Sequence, residues 1–384
     1  MALALYIHWP FCLKKCPYCD FNSHVRVGVD VAGWEAALLA DMAHEREAAG
    51  PDMLTSIFFG GGTPSLMPPA LVERLIGQAT QLWTAAPDLE ITLEANPSSV
   101  EAAAFGDLSH AGVNRVSLGL QSLDDEALRF LGRLHDASEG IAALEVAQNA
   151  FDRVSFDLIY ARPGQSAAEW QAELARALAF GTGHLSLYQL TIEPGTRFAT
   201  DYRLGRFALP EDDLAADIFT LTREMTAQAG LPAYEISNHA GRGQESRHNL
   251  TYWRYGDYVG IGPGAHGRRR SVATQRHRKP ENYLSACTRN GHGMSESRHL
   301  SAAEQASEAL MMGLRLEEGA DLATMAQRFG IAADEMIDAD KVLFYRNLGL
   351  IGRDGTRLWV MPEGMVLLDA LLGELVSGKL LAAT

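Results

Sequence analysis

Residues 12–19 read CLKKCPYC and place three cysteines, Cys12, Cys16 and Cys19, at C-x3-C-x2-C spacing. Thiolates are soft ligands, suited to zinc and to iron–sulfur clusters. A structural zinc ion takes a closed set of four protein ligands. The one other cysteine, Cys287, lies far downstream. Three thiolates suffice for a [4Fe–4S] cluster that keeps one iron open to a small ligand. A zinc ion completed by His8 or His24 is the alternative.

The elements that must position such a loop follow from periodicity. Short apolar, β-rich runs at 3–9, 55–61, 90–96, 115–121, 153–159 and 184–190 alternate with stretches of helical period such as 34–49, 69–83 and 167–180. Strand–helix repetition implies a parallel sheet with right-handed crossovers. Eight units would close a full barrel. Six predict an α/β fold, an open three-quarter (β/α)6 barrel, with a doubly wound sheet as the alternative. The unusual residues fall at strand C-terminal ends, where parallel α/β folds carry their chemistry. The cysteines follow the first strand, Gly60, Gly61 and Gly62 close the second, and Glu94 and Gln121 end the third and fourth. Asp157 interrupts an apolar strand, where an unpaired carboxylate would be costly.

Residues 1–210 thus form the barrel. Residues 211–300 extend it, opening with an acidic-ended helix and continuing through a stretch rich in Gly, aromatic and His residues to a basic loop, 268–279. Residues 301–384 alternate helices with a short hairpin and predict a small winged-helix-like α+β domain. Winged helices often bind DNA. Here 7 Lys and Arg face 13 Asp and Glu, and the whole chain carries a net charge of −15, so nucleic acid is not the expected partner. No apolar run reaches the ~18 residues of a membrane span, and MALALYIHWPFC lacks the basic start of a secretory signal. The expected location is the cytoplasm, with any membrane contact peripheral. Cys287 reads as a buried thiol.

CLKKCPYC resembles the motif of the radical S-adenosylmethionine (SAM) superfamily. That resemblance implies a [4Fe–4S] cluster on Cys12, Cys16 and Cys19, with SAM filling the open iron. Phe11 and Tyr18 fit the aromatic positions of the loop. GGGTPS (60–65) resembles the segment that meets the SAM amino group, through Gly60, Gly61, Gly62 and Thr63; a tight turn is the equal alternative. The stretch 112–136 is similar to oxygen-independent coproporphyrinogen III oxidases and their relatives. It implies SAM contacts from Gln121 and Arg133, and neighbouring motifs add Tyr6, Glu94 and Asp157. The family's DLIYGLPGQT stands here as DLIYARPGQS, with Ala161 and Arg162 substituted.

Those oxidases carry a further cysteine where this chain has Phe21, and they have a longer N-terminal extension. Both departures point to the sister family of haem chaperones, HemW, which YIHWPFC, YEISNHA and GIGPGAHG also resemble. In that family HNxxYW is the haem-binding signature. It maps to His248, Asn249, Tyr252 and Trp253, with His248 as the ligand to haem iron and His8, His239 and His266 as rivals. The loop from Arg268 to Lys279 would pair with haem propionates or lie solvated at the surface. The implied function is binding of haem and its transfer to an acceptor haemoprotein, one associated with the membrane. The alternative is radical SAM oxidation of a porphyrinogen; the enzyme question stays open.

Overall fold

The computed structural model describes residues 2–26 and 28–381, so the last three positions of the C-terminal domain lie outside it. Strands β1 (Ala2–Trp9), β2 (Met53–Gly61), β3 (Thr84–Ala95), β4 (Arg115–Gln121), β5 (Arg153–Tyr160) and β6 (His184–Gln189) lie side by side in chain order, all parallel. Helices α1 (Val31–Ala49), α2 (Pro69–Leu82), α3 (Ala137–Ala150), α4 (Ala167–Leu178) and α5 (Asp212–Gln228) return the chain between or after them. Ser166 and Glu169 cap the start of α4 reciprocally, as Asp136 and Glu139 do for α3. Strand order 1-2-3-4-5-6 excludes the doubly wound alternative, in which the order reverses.

The sheet does not close on itself. Beyond β6 it adds antiparallel β7 (Asn238–Ala240). Beyond β1 it adds β8 (Asp257–Ile261), which is parallel to β1, then antiparallel β9 (His266–Arg269), β10 (Val272–Arg276) and β11 (Met294–His299). Residues 211–300 therefore extend the sheet at both edges. The β8 strand escaped sequence reading because Gly256, Gly260 and Gly262 dilute its β signal. β3 begins earlier than expected. Its register jumps from Ala85 to Glu90 opposite β2, and Pro87, which cannot donate to a ladder, sits in the bulge.

Alternation sorts the side chains. Leu3, Leu5, Ile7 and Trp9 of β1, with Ile57 and Phe59 of β2, are buried in the layer shared with the helices. The other face, toward the barrel axis, carries Tyr6 opposite Phe58, Ser56 opposite Glu90, Glu94 opposite Ser117 and Asp157 opposite Ser186. The axis is thus lined largely with polar groups.

The basic loop is a hairpin, β9–β10, and its arginines are mostly internal. Arg276 is fully buried between Glu45 (2.6 Å) and Asp41 (3.2 Å) of α1, and Arg269 meets Glu45 at 2.6 Å. Arg268 stacks on the Tyr255 ring, 3.4 Å from its centroid. The expectation of a haem-propionate site or a solvated hairpin fails for these three, because their charges and planar faces are already engaged inside the protein. Burial alone would raise the Glu45 carboxyl, but Arg276 and Arg269 hold it below its ordinary range.

The C-terminal region packs α7 (Ala302–Gly313), α8 (Leu322–Phe329) and α9 (Ala339–Asn347) with a three-stranded sheet of β12 (Ala320–Asp321), β13 (Ile351–Asp354) and β14 (Arg357–Val360). This is the helix and wing order of a winged helix. Among the described residues no helix is long and apolar enough to cross a membrane.

Removing one member of a buried ion network strands its partners, at a cost of about 3–5 kcal/mol. Glu45→Ala should lower the urea unfolding midpoint accordingly. An unchanged midpoint would mean that the hairpin is not tied to α1 through this carboxylate.

Candidate functional site

The cysteine loop leaves β1 and sits across the C-terminal mouth of the barrel. Its two ends are tied together by a short parallel pair, Phe11–Cys12 beside His24–Val25. Three clamps hold it. The Gly62 and Thr63 amides donate to Trp9 O (2.7 Å) and Phe11 O (2.8 Å). The Asn22 side chain donates to Pro263 O (2.8 Å) and Arg278 O (2.9 Å). His8 bonds Asn22 O through Nε2 (2.9 Å) and Tyr6 OH through Nδ1 (3.0 Å). The GIGPGAHG segment therefore buttresses the cysteine loop, a role that Asn22 alone discloses and that sequence patterns did not signal.

These clamps explain the glycines of GGGTPS. A Cβ on Gly62 would stand 2.7 Å from Phe11 O, and Gly61, at φ +111°, lies against the His8 ring. Close approach of strand to loop requires both. Glycine here serves packing. The Gly61 amide nevertheless reaches the site, donating to Glu94 Oε2 at 3.2 Å.

Beneath the loop opens a cavity of about 900 Å³. Tyr18, Cys19, Phe21, Glu94, Gln121 and Asp157 line its barrel side, and Arg315 with residues 365–370 of the C-terminal domain roofs it. Gln121 has φ +69°, an uncommon conformation for a residue with a side chain, which turns β4 outward at the mouth. Ala161 has φ +53° at the end of β5, where the resembling family has glycine. The neighbouring substitution is also accommodated: Arg162 pairs with buried Glu173 at 2.6 Å.

Two carboxyls face this cavity with perturbed acidity. Burial, reinforced by the charge of Asp157, pushes Glu94 up to about 8. Burial raises Asp157 to about 6, although Ser117 donates to it at 3.2 Å. Neither has a cationic side chain in salt-bridge contact, so a cation entering the cavity would find two acceptors for its charge.

The other expected SAM residues stand behind this wall. Tyr6 is bonded to His8, and Thr63 accepts from the Asn96 side chain at 3.1 Å. Arg133 does not line the cavity. Its guanidinium is drawn to Cys16 Sγ (3.3 Å), the Gly119 carbonyl (2.8 Å) and Asn96.

Among the described residues no three His, Cys, Asp or Glu side chains converge tightly enough to hold one metal. His8 has both ring nitrogens engaged, which removes it as a fourth zinc ligand and as a haem rival. His24 keeps a buried Nε2 without a partner.

The HNLTYW segment does not line this cavity, and Trp253 approaches it through Arg315 of the roof. It forms most of α6 (Arg247–Trp253), which plugs the opposite end of the barrel. Glu90 accepts from the Arg247 and His248 amides (both 3.2 Å) and pairs with Arg153 at 2.7 Å. His248 is buried, bonded through Nδ1 to Ser56 Oγ (3.1 Å) and stacked on Phe58 at 4.6 Å. Burial lowers it to about 3, so it is neutral, and its Nε2 has no partner. Tyr252 packs edge-on against His248, Asn249 is partly buried, and Trp253 faces Arg315. An accessible haem site at these residues is not what this conformation offers, because the barrel wall encloses His248. Of the rivals, His239 is buried against Thr226 and His266 is exposed.

Known proteins resolve the class. The model of the radical SAM superfamily matches residues 6–177, and that of the HemN C-terminal domain matches residues 300–367. The chain is a radical SAM superfamily protein with a HemN-type C-terminal domain. It is 40% identical over 340 residues to "Heme chaperone HemW" of Escherichia coli (strain K12), covering 86% of this chain and 87% of that protein. It is 31% identical over 376 residues to the protein of the same name in Bacillus subtilis (strain 168), covering 96% and 99%. It is also 38% identical to the mitochondrial "Radical S-adenosyl methionine domain-containing protein 1" of Bos taurus, over 97% of this chain and 87% of that one. Within the superfamily, the chain belongs to the haem chaperone HemW family. The solved structure of coproporphyrinogen III oxidase (HemN) from Escherichia coli shares the fold, with a TM-score of 0.82 at 22% identity over 97% of this chain and 89% of that one.

The acidity of Glu94 and Asp157 sets a measurable coupling. A carboxyl protonated in the free protein must release its proton to pair with a cation, so binding of a cationic ligand such as a sulfonium should strengthen as pH rises through the window from about 6 to about 8 and level off above it. Calorimetry in buffers of different ionisation enthalpy should register proton release, and Glu94→Gln should flatten the pH dependence. Proton-neutral binding in the wild type would remove the carboxyls from that role.

Proposed function

We propose that this chain is a haem chaperone that carries a [4Fe–4S] cluster and SAM and hands haem to an acceptor haemoprotein. The supporting observation is the cysteine loop itself: three thiols at the barrel mouth, of which Cys19 lines a cavity together with two carboxyls, and exposed Phe21 (60% accessible) where the oxidases carry another cysteine. Cys12, Cys16 and Cys19 hold the cluster. SAM fills the remaining iron site, with Glu94, Gln121 and Asp157 as its direct polar partners and Tyr18 beside it. Tyr6, Gly60, Gly61, Gly62 and Thr63 shape the pocket from behind. When bound, the cluster supplies an electron for reductive chemistry at the sulfonium.

Haem is the cargo. His248 has the free, neutral Nε2 that iron ligation needs, with Asn249, Tyr252 and Trp253 as its companions. Since Ser56 and Glu90 hold α6 in the barrel floor, haem reaches His248 only when this helix swings out. The acceptor meets the protein in the cytoplasm or at the membrane surface. One observation keeps a second reading in view: the carboxyls facing the cavity are intact, as radical SAM oxidation of a porphyrinogen would require.

Haem retention tests the proposal. Protein purified anaerobically, mixed with haem and passed through gel filtration should keep about one haem per chain with a Soret band. His248→Ala should lose the haem or shift the band. A mutant spectrum identical to wild type would leave His248 as a floor residue only, and loss of haem by both proteins would favour the porphyrinogen reading.

A further inference from the structure

Arg133 presents an unbalanced charge. It is partly buried, its Nε is enclosed without a partner, and it forms no salt bridge with a carboxylate among the described residues. An uncompensated cation in such a place is costly. The group it does reach is sulfur: Nη1 lies 3.3 Å from Cys16 Sγ. Its aim is fixed by others, since Nη2 donates to the Gly119 carbonyl and to Asn96 Oδ1. Asn96 is itself anchored through Nδ2 to Thr63 Oγ1 at 3.1 Å, and through its amide to Glu101 at 2.8 Å.

Cys19 has a hydroxyl at hand. Ser23 Oγ lies 3.9 Å from Cys19 Sγ, within the longer reach of sulfur hydrogen bonds. Two sulfurs of the triplet thus have a side-chain partner from outside the motif, and that of Cys16 is a full cation.

Resting on the cluster-binding reading above, we infer that Arg133 and Ser23 set the reduction potential of the cluster by donating to its cysteine sulfurs, with Asn96 as the residue that positions Arg133. Hydrogen bonds to the sulfurs and nearby positive charge favour the reduced, more negative cluster and raise its potential. The charged donor has the larger effect, because charge-assisted hydrogen bonds are about twice as strong as neutral ones. This assigns Arg133 a task that SAM is not needed to reveal.

The test is a potentiometric titration, followed by electron paramagnetic resonance, of anaerobically reconstituted full-length protein in the absence of SAM. Arg133→Gln should move the midpoint negative, by roughly tenfold in the reduction equilibrium, or ~59 mV for one electron. Arg133→Lys should recover part of that shift, and Ser23→Ala should move the midpoint the same way by less. SAM affinity is measured in parallel. Should Arg133→Gln keep its iron and its SAM-free potential and lose only SAM affinity, Arg133 is a SAM ligand and the inference fails. If Arg133→Gln assembles no cluster, Ser23→Ala decides: a negative shift upholds sulfur donation, and an unmoved midpoint overturns it. A wild type that takes up no cluster would instead defeat the functional reading beneath it.

Discussion

The structure depends on how closely the cysteine loop can be drawn onto the strand ends at the barrel mouth. The excursion from Pro10 to Ser23, bearing three thiols, has little regular structure of its own. It is held because strand backbones without side chains can reach it. Gly62 and Thr63 donate into its first turn, and Gly61 makes room for the His8 ring. Asn22 ties its return to the 260–267 segment more than two hundred residues away. The clamps confine the loop's lack of regular structure to its thiol-bearing tip.

The same economy governs the barrel axis. Polar groups inside a sheet need partners, and each end resolves this differently. On the floor, Glu90 is satisfied by Arg153 and by the amides of α6, so that end is sealed and its carboxylate stays ionised below its ordinary range, despite burial, under the charges of Arg115 and Arg153. At the mouth, Glu94 and Asp157 have no salt-bridging cation among the described residues, and both are held above the ordinary carboxylate range.

Much of the site could be read from residues whose types do not suit their elements. Three cysteines after a strand, and carboxylates inside apolar strands, announce themselves. The barrel was readable because each strand–helix unit is a local pattern. What escaped was decided by distant parts of the chain. The arginines of 268–276 look like a solvated basic loop until α1 is seen to supply Asp41 and Glu45. His248 reads as a haem ligand, and only the fold shows Glu90 and Ser56 holding it in the floor. Arg133 reads as a SAM contact, and only the fold shows Gly119 and Asn96 directing it to Cys16.

The central claim is that no protein side chain completes the cluster and that SAM does. The most direct measurement is electron–nuclear double resonance on the reduced, reconstituted protein with SAM labelled at its amino nitrogen and carboxylate oxygen. The account predicts hyperfine coupling from both labels to one iron of a four-iron cluster, abolished by unlabelled SAM. A cluster whose spectrum ignores SAM and changes on His24→Ala would contradict it, and so would a single bound zinc ion.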